Sequence, residues 1–141
     1  MATVELLLSP VAAHVRTARL VGVAAARRAG LDDDDVADLR LALGEACGRA
    51  VRLHAVHAPE TPVRLRVTDH VGELTVEVTD AGPPARPVSA AGFGDDLDDL
   101  EDGDPQVALT VLAGLVEGLQ ITPHERGTTV AFTWSIPSKR P

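Results

Sequence analysis

Leu39-Arg-Leu-Ala-Leu-Gly-Glu-Ala-Cys-Gly-Arg-Ala-Val-Arg-Leu-His-Ala55 is the stretch whose reading decides the fold. Apolar side chains at Leu39, Leu43, Ala46, Cys47 and Ala50 recur at the spacing of one buried helical face, so a long helix is predicted here. On the neighbouring stripe Glu45 and Arg49 stand one turn apart, and any ligand that touches Glu45 must also meet Arg49. Two readings of that pair stay open. One is an exposed ion pair contributing about 0.3–0.5 kcal/mol, and the other is the remnant of a ligand site.

Upstream, Thr3 to Leu8 is a short β-prone run ended by Ser9-Pro10, an N-cap residue followed by a first-turn proline. Val11, Val15, Ala18 and Val23 then mark a first helix that stops at Gly30. Asp32 to Asp35 open the central helix, where negative charge suits the unpaired N–H groups, and they read as caps rather than metal ligands. His54 and His57 stand three apart near its end without a third ligand, so they read as solvated groups or partners of the helix dipole.

Downstream, Val63, Leu65 and Val67 alternate with Arg64, Arg66 and Thr68; after a turn at His70-Val71-Gly72, Leu74, Val76 and Val78 point inward. These two runs predict an antiparallel hairpin. It ends in Thr79-Asp80-Ala81-Gly82-Pro83-Pro84, where Asp80 reads either as a turn former or as a binding residue. A long aperiodic loop, 82–104, follows and is expected to be a mobile surface segment. Asp104-Pro105 starts a third helix with Val107, Val111, Leu112 and Leu115 on its apolar face. Val116 to Ile121 leads into a strand, Pro123 to Gly127 turns, and Val130, Phe132 and Trp134 alternate in a last strand. The order predicts an α+β two-layer sandwich: a mixed, mostly antiparallel sheet with helices on one face, forming one domain over 1–136 with a flexible tail at 137–141.

The formal charge is −8, yet seven of the acids lie between Asp95 and Asp104 with no basic residue among them. The rest of the chain is close to neutral, and no Lys/Arg stripe with interleaved aromatics is present, which argues against nucleic acid and for a basic protein partner. The single Cys47 sits on the apolar face of the central helix and reads as a core thiol in a reducing compartment. No apolar run is long enough for a membrane span and no leader pattern opens the chain, so a soluble cytoplasmic protein is expected.

Glu45-Ala-Cys-Gly-Arg49-Ala-Val on a long helix, a hairpin ending Val78-Thr-Asp80-Ala-Gly82, a long loop, a helix, and Gly127-Thr128-Thr129-Val130 entering the last strand together resemble the GHKL ATPase superfamily, or Bergerat fold. Within it the chain is most similar to the anti-sigma-factor serine kinases of bacterial stress and sporulation switches. The resemblance implies a general base at Glu45, a Mg²⁺-holding asparagine at the place of Arg49, an adenine-reading carboxylate at Asp80, a close-approach glycine at Gly82, and a Gly127-Thr128 pair closing the adenine pocket. Each job suits its residue type.

The departures from the family pattern are specific. A guanidinium has five donors and no acceptor, so Arg49 cannot ligate Mg²⁺. The family's second glycine box, whose helix N–H groups face the phosphates, falls on Gln106-Val107-Ala108-Leu109 with both glycines gone. Asp104 and Pro105 put a carboxylate and a missing donor at that helix end, Pro84 stiffens the edge after Gly82, and the acidic run repels ATP.

Three functions are therefore weighed. The leading one is an anti-sigma-factor-like regulator with a degenerate ATP site that binds an alternative sigma factor, a STAS-domain anti-anti-sigma factor, or both. The second is a working ATP-dependent serine protein kinase acting on such an antagonist, with Arg49 meeting phosphate in place of the metal. The third is a non-catalytic scaffold that uses its acidic loop to bind a basic partner. The resemblance also implies a homodimer through the sheet edge and first helix.

Overall fold

The computed structural model describes residues 2–86 and 105–137. The elements follow the predicted order: β1 (Ala2–Leu8), α1 (Ala12–Ala29), α2 (Asp33–His57), β2 (Val63–His70), β3 (Glu73–Asp80), α3 (Pro105–Leu115), β4 (Gln120–His124) and β5 (Gly127–Ser135). The loop expected over 82–104 falls mostly outside the described residues, as do Asp104 and the end of the tail.

The strands form one sheet in the order β1-β2-β3-β5-β4, and every pair is antiparallel. The expectation of a mixed sheet is corrected to that extent. Period-two alternation sets its two faces. One apolar row runs across all five strands through Leu6, Leu65, Val78, Val130 and Ile121, and the next holds Val67, Val76 and Phe132. The opposite face is polar. There Glu5 meets Arg66 at 3.0 Å and Arg64 at 3.6 Å across strands, exposed contacts that add little to stability.

Helix α2 lies against the apolar face because its stripe demands it: Leu39, Leu43, Ala46, Cys47 and Ala50 are all buried. Asp32 caps it, its side chain accepting the Asp35 N–H at 2.8 Å. Helix α1 packs closely on α2 at Gly22, where any Cβ would strike Leu43. Burial pushes the Cys47 thiol up to about 12, with Arg19 pulling weakly the other way, as befits a core thiol.

Three local expectations are corrected. Helix α1 begins at Ala12 with Val11 at the N-cap and no side-chain cap. The Ser9 hydroxyl does not cap it; the Ser9 carbonyl instead accepts the Val11 N–H at 2.7 Å, and the Ser9 N–H donates to His14 Nδ1 at 3.1 Å. Helix α3, packed on α2, is rotated from the expected stripe: its buried residues are Ala108, Leu109, Thr110 and Leu112, while Val107 and Val111 are half-buried. Strand β4 runs on through Pro123 and His124, shortening the turn to Glu125-Arg126; a proline fits there because β4 is the sheet's edge. No helix among the described residues is long and apolar enough to cross a membrane.

Candidate functional site

The second half of α2 runs under the point where β3 leaves the sheet. Arg49 faces inward there with 2% of its surface exposed, too deep to be a solvated face residue. Its Nη1 donates to Asp80 Oδ2 at 2.7 Å, and the two side chains are 3% and 1% exposed. Neither charge could sit at that depth unpaired. The Glu45–Arg49 ion pair does not form: Arg49 turns to the buried carboxylate, which needs a counter-charge more than half-buried Glu45 does.

Asp80 is engaged through both of its oxygens. Its second oxygen, Oδ1, accepts the Gly82 N–H at 2.9 Å, closing a tight turn. Gly82 fits closely there: a Cβ would lie 3.0 Å from Leu53 Cβ and push it aside by a few tenths of an ångström. Across the ladder Asp80 pairs with Thr128, whose buried hydroxyl accepts the Ala85 N–H at 2.8 Å. Gly127 precedes it at φ 157°, and a side chain there would run into the Asp80 carbonyl. Arg49, Asp80, Gly82, Gly127 and Thr128 thus converge, while Glu45 stands a turn earlier on α2.

The residue that sequence reasoning missed is His54. Rather than lying in solvent at a helix end, it is completely buried. Its Nε2 accepts the Ala81 N–H at 2.8 Å, so its Nδ1 carries the proton and donates to the Thr61 carbonyl at 2.7 Å. The signal was present: His54 follows Ala50 by one turn on the apolar stripe of α2, whereas His57 is exposed. His54 ties the α2 end, the connection to β2 and the segment carrying Asp80 into one unit.

These residues do not fit a nucleotide held through Mg²⁺. A donor on an incoming base would find Asp80 only 5% exposed, with each oxygen already accepting one hydrogen bond within the protein. Arg49 offers a metal no lone pair. Among the described residues no group of three or more His, Cys, Asp or Glu side chains could hold a metal ion. At the start of α3, Gln106 and Ala108 stand where the resemblance implies the two glycines: the Gln106 side chain donates to the Arg86 carbonyl at 2.9 Å, and Ala108 is packed into the interior. Arg49 retains one unmet need: its Nε–H is buried with no hydrogen-bond partner among the described residues.

Comparison with curated proteins finds no match. The profile of the histidine kinase-like ATPase domain, by contrast, matches residues 8–134. With that match over nearly all of its length, and with an antiparallel sheet backed by helices on one face, the chain belongs to the histidine kinase-like ATPase domain family.

Proposed function

We propose that this chain is a regulatory binding protein of the anti-sigma-factor type in which the ancestral nucleotide pocket has been closed from within. The buried Arg49–Asp80 pair carries the reading, because the carboxylate that the family turns to adenine is here neutralised and enclosed by the protein itself. Binding an alternative sigma factor or a STAS-domain antagonist requires a stable scaffold and an exposed surface, not phosphoryl transfer. The loss of both box glycines, at Gln106 and Ala108, points the same way.

One observation favours a second reading, an ATP-dependent serine kinase: the unpartnered Nε–H of Arg49 is a donor awaiting an acceptor. That reading requires Arg49 to leave Asp80. The third reading, a scaffold recruiting a basic partner through the acidic run, has no comparable support among the described residues.

Isothermal titration of ATP and ADP, with and without Mg²⁺, separates these functions when run on the unaltered protein and on a folded Arg49→Asn variant. The expected result is no binding by the unaltered protein, and retention of a sigma factor or STAS protein in pull-downs made without nucleotide. Chelator-tolerant nucleotide binding at micromolar levels would move the kinase to first place.

A further inference from the structure

Four arginines line a groove of about 440 Å³ between α1 and α2: Arg16, Arg19 and Arg27 on α1, and Arg40 on α2. Its apolar lining comes from Leu20, Val23 and Ala24. All four arginines are exposed, and none has a carboxylate partner among the described residues. The sequence supplies none locally, since neither Asp nor Glu lies three or four residues from any of them. Helix α1 carries no acidic residue at all.

This concentration of charge is unfavourable as it stands. Arg16 and Arg19 repel each other one turn apart. The helix dipole accounts for Arg27 in the last turn of α1, but Arg16, in the first half, gains nothing from it. Beside them Leu20 stands 68% exposed. A cationic wall around an exposed leucine, in a chain of net charge −8, calls for a ligand that brings carboxylates and apolar side chains together.

We infer that this groove docks an acidic amphipathic helix of a partner protein. The three arginines on α1 run from Arg16 to Arg27, a rise of roughly 16 Å, so the occupant presents about three helical turns, with leucine-like side chains on Leu20 and Val23 and carboxylates towards Arg16, Arg19, Arg27 and Arg40. Charge complementarity selects this occupant. Nucleic acid suits the groove less well, since it would set phosphates against Leu20 and find no aromatic platform. The inference rests on the protein-binding part of the reading above but not on the state of the nucleotide pocket.

The experiment is fluorescence anisotropy with a labelled synthetic helix of about sixteen residues, carrying leucines on one face and glutamates on its flanks. Its controls are a lysine-flanked version and a single-stranded oligonucleotide of equal charge. The glutamate peptide is expected to bind the unaltered protein, to weaken about tenfold or more in Arg16→Glu/Arg40→Glu and in Leu20→Ser, and to be indifferent to Arg64→Glu on the opposite sheet face. Circular dichroism melts confirm that each variant is folded, and the milder Arg16→Gln replaces the double reversal if that one is not.

Absent binding, equal binding by the groove variants, or tighter binding of the oligonucleotide overturns the proposal. So does binding that emerges only after the acids of 95–104 are neutralised, which would assign the groove to the chain's own segment. A dimer that the same substitutions dissolve would assign it to a second copy. ATP titration on these variants keeps the two questions apart, because a nucleotide-binding protein that still takes the peptide refutes only the closed pocket.

Discussion

Arg49 and Asp80, 31 residues apart in the chain, meet at 2.7 Å in an ion pair that solvent barely reaches. The pair joins the central helix to the exit of β3, and its two halves are not interchangeable with water. Replacing Arg49 by Ala strands a buried carboxylate and should cost about 3–5 kcal/mol, whereas Arg49→Met with Asp80→Leu should cost much less than the two single changes added together. Urea unfolding of the four-member cycle measures this coupling, and additive effects would show that the pair does not act as a unit.

His54→Phe keeps an aromatic ring, a somewhat larger one, but removes both hydrogen bonds of the imidazole. Leaving the Ala81 N–H and the Thr61 carbonyl unmet should lower stability by about 2–4 kcal/mol. Amide exchange should quicken first at Ala81 and Gly82. Unchanged protection there would separate His54 from the positioning of Asp80.

Gly127→Ala places a methyl group against the Asp80 carbonyl at a backbone angle that favours glycine. The expected loss is about 1–3 kcal/mol or more, through separation of β5 from β3 beside the site. Thermal melting checks the size, and Gly72→Ala gives a reference in which φ is positive but no neighbour is close.

Cys47 provides a test in alkali. Its thiol has a folded value raised from 9.0 to about 12 by burial, so the neutral form is favoured in the native protein. This group's contribution is fully present below pH 9 and falls as pH rises between 9 and 12, by about 1.4 kcal/mol per unit, as the unfolded chain releases its proton first. Cys47→Val should flatten that part of the pH–stability curve. At neutral pH the native thiol should resist a disulfide reagent that titrates it fully in guanidinium.

Much of this architecture was legible because period and punctuation are local. The stripe from Leu39 to Ala50, the alternation through Val63–Val67 and Leu74–Val78, and Gly30 at φ 97° each declared an element without help from the rest of the chain. The failures came where a distant partner decided. Arg49 looked like the neighbour of Glu45 because one helix was in view; its actual partner arrives from a strand that the helix cannot foretell. His54 looked like a terminal histidine because Ala81 and Thr61, which claim its two nitrogens, were not visibly adjacent. Helix α3 rolled away from Val107 and Val111 towards Leu109 because α2 sets its buried side.

The buried carboxylate also limits which single substitutions this site can accept. Arg49→Asn would strip Asp80 of its counter-charge, a loss of several kcal/mol against the roughly 5–15 that hold a domain of this kind together. Asparagine would restore a ligand for metal only in a protein already weakened, and the helix start at Gln106 would still lack its glycines. The ion pair therefore works as a latch on substitution: neither Arg49 nor Asp80 can be exchanged alone without leaving the other's charge buried and unanswered.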